Sequence, residues 1–132
     1  MTQSEVGRVM AHMAGTHLLM AKILYGCGLR LMECVRLRVQ DLDVDRNILY
    51  VRDAKGGKDR TTVFPQSIQA ELRLHLEKVK SLHDEDIAKG LGEVYLPTAL
   101  AKKYPSASRQ FRWQYVIHAC HGKRYFRCFK PA

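Results

Sequence analysis

The sequence predicts an α+β fold, mainly helical, with a small three-stranded antiparallel sheet. Three observations carry this. Apolar residues recur at helical spacing over several segments, as expected of helices with a buried face. Two β-prone runs, 48–51 and 60–64, flank a Gly56-Gly57 pair suited to a tight antiparallel turn. The 132 residues, 46% of them apolar, are enough for one domain with its own core.

Thr2-Gln3-Ser4-Glu5 has the spacing of a capping box, and Val6, Val9, Met10 and Met13 follow at i, i+3, i+4 and i+7. A short amphipathic helix is expected there, ended by Ala14-Gly15. Thr16 is the expected cap of a second helix, 17–25, which is apolar nearly all round and therefore belongs in the core; His17 reads as a first-turn surface residue. Gly26 and Gly28 are expected to break that helix. A third helix, 31–37, starts beside Arg30 and puts Glu33 one turn on. Asp41, Asp43 and Asp45 alternate with apolar residues before the first β-prone run. The glycine and glutamate spacing of a calcium loop is absent, so no calcium site is expected.

After the hairpin, Pro65 closes the strand and Ser67 is the expected cap of the longest helix. Ile68, Leu72, Leu76, Val79 and Leu82 form its stripe, with His75 and His83 beside it. Helical character fades near Gly90. Val94 to Leu96 is followed by a short helix at 99–103, and beyond Pro105 the pattern loses definition.

The charge is uneven. Residues 94–132 hold eight lysines and arginines and no acid, against fourteen basic and thirteen acidic residues before them. A nucleic acid is the natural partner of such a segment, and its interleaved aromatics suit stacking on bases. No apolar run approaches the ~18 residues of a membrane span, and MTQSEVGRVM lacks the regions of a signal peptide. The four cysteines therefore read as reduced thiols of a cytoplasmic protein. His118, Cys120, His121 and Cys128 do not have the spacing of a zinc finger or ribbon, so no metal is expected.

Chemistry is suggested by Arg30 and Lys55, an arginine at a helix start and a lysine at a tight hairpin. A guanidinium offers two parallel donors to a phosphate, and a lysine near a leaving oxygen supplies a proton once its pKa is lowered. Lys55, Lys58 and Arg60 also suit plain neutralisation of DNA phosphates.

At these residues the chain resembles a known family. ILYGCGLRLMECVRLRVQDLD followed by VRDAKGGKDRTTVFP is similar to the first half of the catalytic domain of tyrosine recombinases, the phage integrase family. GEVYLPTALAKKYPSAS with the later WQYV resembles the insertion of the integron integrase subgroup, over about 92–116. The resemblance implies a DNA breaking-rejoining fold and site-specific recombination through a 3′-phosphotyrosyl intermediate, with no cofactor. It implies Arg30 as the first catalytic arginine, Glu33 as its supporting acid and Lys55 as the general acid toward the leaving 5′ hydroxyl. Lys58, Arg60, Lys102 and Lys103 are then expected to hold DNA, and other integrase protomers are expected partners.

The family also needs a His-x-x-Arg motif and a tyrosine further on. His121-Gly122-Lys123-Arg124 matches the bare pattern, but it follows WQYV without intervening helices, and Tyr125 comes at once. We read that match as accidental. The expectation is a partial catalytic domain over 1–116, keeping phosphate and DNA contacts but lacking the nucleophile, so inactive alone. The basic tail, 117–132, diverges from the family and is expected to be disordered or out of frame. The alternatives are a competent enzyme using Tyr125, and a non-catalytic module that binds DNA or another integrase.

Overall fold

The computed structural model describes residues 1–54, 56–90, 93–96 and 98–117. Helix α1 (Gln3–Ala11) begins with the expected capping box: Thr2 Oγ1 accepts the Glu5 N–H at 3.2 Å, and Glu5 Oε2 accepts the Thr2 N–H at 2.7 Å. Its apolar stripe does not enter the core; no residue of α1 is buried and Val9 is 56% exposed.

Helix α2 (Gly15–Cys27) starts earlier than expected, with Ala14 rather than Thr16 at the cap. It runs through Gly26 and ends at Gly28, whose φ of +64° is the left-handed conformation that glycine adopts without steric cost. Gly26 therefore does not break the helix. It is needed because a Cβ there would lie 2.8 Å from Pro65 Cγ and 3.0 Å from Pro65 Cδ. Overlap of this kind costs ~1–3 kcal/mol, which exceeds the ~1 kcal/mol that alanine gains in helix propensity. Gly26→Ala should therefore lower the urea midpoint of unfolding, and adding Pro65→Ala should recover part of the loss. A midpoint unchanged by Gly26→Ala would remove this reason for the glycine.

Helix α3 (Leu31–Val35) is short, and Arg30 stands before it in extended conformation. A 3-10 turn, Val39–Asp41, leads into the sheet. Its strands β1 (Leu42–Asp43), β2 (Ile48–Ala54) and β3 (Lys58–Val63) lie in the order β1-β2-β3, all antiparallel. Val51 faces Arg60 and Ala54 faces Lys58, with the register shifting between them, so the hairpin expected around Gly56-Gly57 is formed. A second 3-10 turn, Gln66–Ile68, follows Pro65, and helix α4 (Gln69–Ala88) continues from it with Ile68 at the cap, not Ser67. Leu72 and Val79 of α4 are buried as expected, but Leu82 is 47% exposed and lies off the packed face. Helix α5 (Thr98–Lys103) is the last α-helix among the described residues, and two 3-10 turns, Ala107–Arg109 and Phe111–Trp113, follow it.

The main core joins α2, α3, the sheet and α4 through Ile23, Cys34, Leu49, Phe64 and Leu72, and Val116 and Ile117 return to it from the end of the described chain. Val94, Leu96, Ala107 and Tyr115 form a second, smaller cluster. The two are joined by backbone pairing of 37–39 with 114–116: the Val39 N–H reaches Gln114 O at 2.9 Å and the Val116 N–H reaches Leu37 O at 2.9 Å. Arg38 sits at this seam. Its guanidinium donates to the Trp113 and Tyr95 carbonyls, each at 2.7 Å, and to Tyr115 Oη at 3.2 Å. It also stacks over the Tyr115 ring at 4.6 Å.

Candidate functional site

The end of α2, the start of α3 and strand β3 converge on one carboxylate. The left-handed Gly28 turns the chain so that Arg30 meets the first turn of α3. Glu33, three residues on, reaches back: its Oε2 accepts the Arg30 backbone N–H at 2.9 Å. Strand β3 is fixed above this turn by Thr62, whose Oγ1 donates to Cys27 O at 3.3 Å. That places Arg60, two residues earlier, over the same carboxylate, with Nη2 2.9 Å from Glu33 Oε2 and 3.5 Å from Gly28 O.

The exposures divide the roles. The Glu33 side chain is 9% exposed, while those of Arg30 and Arg60 are 62% and 42% exposed. Arg30 Nη1 comes only to 3.8 Å from Glu33 Oε1, longer than a hydrogen bond. That oxygen is buried and accepts no hydrogen bond among the described residues. The Arg30 N–H, and then the hydrogen bond and charge of Arg60, hold the Glu33 carboxyl below its ordinary value of 4.5 against the opposing effect of burial. A value lowered on folding contributes stability above the unfolded value and loses it as the pH falls through the folded one. Glu33 is thus an anion at neutral pH, and Arg30 presents a largely free fork of donors to solvent.

Of the residues singled out from sequence, Arg30, Glu33 and Arg60 come together. Lys58 lies further along the hairpin and is exposed. Lys102 and Lys103 end α5, with Lys103 Nζ 5.4 Å from the Tyr104 ring centre. Lys55 lies outside the described residues, as do His118, Cys120, His121, Arg124, Tyr125 and Cys128. Cys27 and Cys34 are free, buried thiols, each pushed up to about 11 by burial, so both stay protonated at neutral pH.

Sequence reasoning did not find the second shared carboxylate. Asp41, 5% exposed in its side chain, accepts Arg52 Nε at 2.7 Å and the Arg38 N–H at 3.2 Å, tying the hairpin to the turn before the sheet. Alternation of the aspartates marked the position but not its partner. The histidines expected to be packed or at the surface divide: His17 is exposed, His75 donates from Nε2 to Val116 O at 2.6 Å, and His83 is buried beside Phe111. No group of three His, Cys, Asp or Glu among the described residues is placed to hold a metal ion. No helix among them is long and apolar enough to cross a membrane.

Comparison with known proteins gives a consistent set. The sequence profile of the phage integrase family matches residues 1–108. Two proteins named integrase/recombinase, from Escherichia coli and Pseudomonas aeruginosa, are each 40% identical over 117 residues, which is 89% of this chain and 35% of theirs. Tyrosine recombinase XerA of Thermococcus kodakarensis is 38% identical over 80 residues, covering 58% of this chain and 28% of its own length. A crystal structure of XerA recombinase superposes with a TM-score of 0.55 at 26% identity, over 61% of this chain and 30% of that one. The mainly helical architecture with its three-stranded antiparallel sheet is that of this fold. The chain spans about a third of the length of these two integrase/recombinase relatives, which the matches cover to 35%.

Proposed function

The chain belongs to the phage integrase family, and from that membership we propose that it holds and polarises a DNA phosphate in site-specific recombination. The observation that carries the reading is the exposed Arg30 fork, set at a helix start with the half-buried acid Glu33 behind it. An arginine so placed matches two phosphate oxygens and stabilises charge that grows on them in the transition state. Lys55, three residues before Lys58 in the sequence, is the proposed proton donor to the leaving 5′ oxygen. Lys58, Lys102 and Lys103, all exposed, are proposed contacts to flanking phosphates. The reading assigns binding and polarisation of the phosphate to these residues, not the covalent step.

The finer placement is the integron integrase subgroup. It is supported by Val94, Leu96, Ala107 and Tyr115, which build a second, small core that locks onto the body through Arg38. On this reading 1–116 is the N-terminal part of a catalytic domain of a DNA-acting, cytoplasmic protein, and 117–132 is a divergent basic tail whose first residue, Ile117, packs into the main core. Association with other protomers is proposed on the family membership alone. The test is duplex binding by the full chain. Raising salt from ~50 to ~200 mM should weaken it steeply, as displacement of phosphate counterions requires. Salt-independent binding, or none at low salt, would contradict the proposal.

A further inference from the structure

Glu33 is shared by two arginines, and its two oxygens are used differently. Oε2 takes the Arg30 N–H and the Arg60 guanidinium, each at 2.9 Å. Oε1 is buried, accepts no hydrogen bond among the described residues, and lies 3.8 Å from Arg30 Nη1. A carboxylate bound bidentately by an arginine uses both oxygens at hydrogen-bond distance. Here the occupied Oε2 prevents that arrangement for Arg30.

We propose that Arg60 is a positioning residue: by occupying Glu33 Oε2 it keeps Glu33 from capturing the Arg30 guanidinium, and so leaves that fork free for a phosphate. The inference rests on the proposed phosphate-binding role of Arg30 and reassigns Arg60 from a simple DNA contact. A carboxylate that is only 9% exposed demands a compensating cation. With Arg60 removed, the nearest one among the described residues is Arg30, on the same helix turn and already 3.8 Å away. Closing that gap withdraws Arg30 from solvent. Because Arg60 arrives on β3, the state of the hairpin is thereby coupled to the availability of Arg30.

The experiment is a double-mutant cycle on the full chain with Arg60→Met, which keeps the aliphatic stem, and Glu33→Gln. Duplex binding should weaken several-fold on Arg60→Met, and the same change made in the Glu33→Gln background should have almost no effect. Equal weakening in both backgrounds would mean that Arg60 meets the phosphate itself, and would overturn the inference. A second readout needs no DNA. Guanidinium nitrogen NMR spectra should show slowed Nη rotation for Arg60 in the unsubstituted chain, passing to Arg30 in Arg60→Met. Arg30 already restricted in the unsubstituted chain, or still free in Arg60→Met, would overturn it even if no duplex binding were found. Absence of binding alongside the expected spectra would count against the phosphate role of Arg30 only.

Discussion

Arg38→Ala should unfold more easily than the unsubstituted chain by ~3 kcal/mol or more, since hydrogen bonds to a charged group contribute ~1.5–3 kcal/mol each. Three side-chain hydrogen bonds disappear, and two carbonyls, Trp113 O and Tyr95 O, lose the charged donor that ties them to the body. Stacking on the Tyr115 and Trp113 rings goes with them. The seam keeps the backbone pairing of 37–39 with 114–116, the His75 hydrogen bond to Val116 O and the buried Val116. Arg38→Lys should lose most of the same energy, since one ammonium on a flexible stem cannot serve carbonyls on two segments and stack as well. Trp113, the sole tryptophan, reports the event directly. Urea unfolding followed by its fluorescence should show the midpoint falling and emission shifting to the red in Arg38→Ala before global unfolding. An unchanged midpoint would show that the small core of Val94, Leu96, Ala107 and Tyr115 is held without Arg38.

Much of the architecture is legible where the deciding contacts are local. The capping box of Thr2 and Glu5 is complete within four residues, and the glycine pair at 56–57 needs only the flanking β-prone runs. Local reasoning fails where a distant group decides. Gly26 looks like a breaker, yet it remains helical because its missing side chain makes room for Pro65. Thr16 and Ser67 are good caps by type, but Gly15 and a 3-10 turn after Pro65 start the helices elsewhere. Arg38 is unremarkable in sequence because its partners lie 57 to 77 residues away.

The candidate site divides in the same way. Arg30 and Glu33 are visible as an i, i+3 pair at a helix start, where a carboxylate suits the free N–H groups. That Arg60 shares the same carboxylate is not visible, because it depends on how the hairpin lies over Gly28 and Cys27. The sequence offers Lys58 and Arg60 as neighbouring cations in the hairpin; among the described residues the fold gives Arg60 an internal partner.

The largest functional effect should follow from Arg30→Ala. Charge-assisted hydrogen bonds to a phosphate contribute about 1.5–3 kcal/mol each, so binding should weaken by about tenfold or more. The loss should be uniform across duplex sequences, because a phosphate contact carries no base information. Substituting Arg30 leaves the core untouched, since its side chain is 62% exposed, so the melting temperature should move little. The most direct measurement is the slope of log binding constant against log salt concentration, for the unsubstituted chain and for Arg30→Ala with the same duplex. Loss of one phosphate contact predicts a slope shallower by about 0.9. An unchanged slope with unchanged affinity would contradict the claim that Arg30 grips a DNA phosphate.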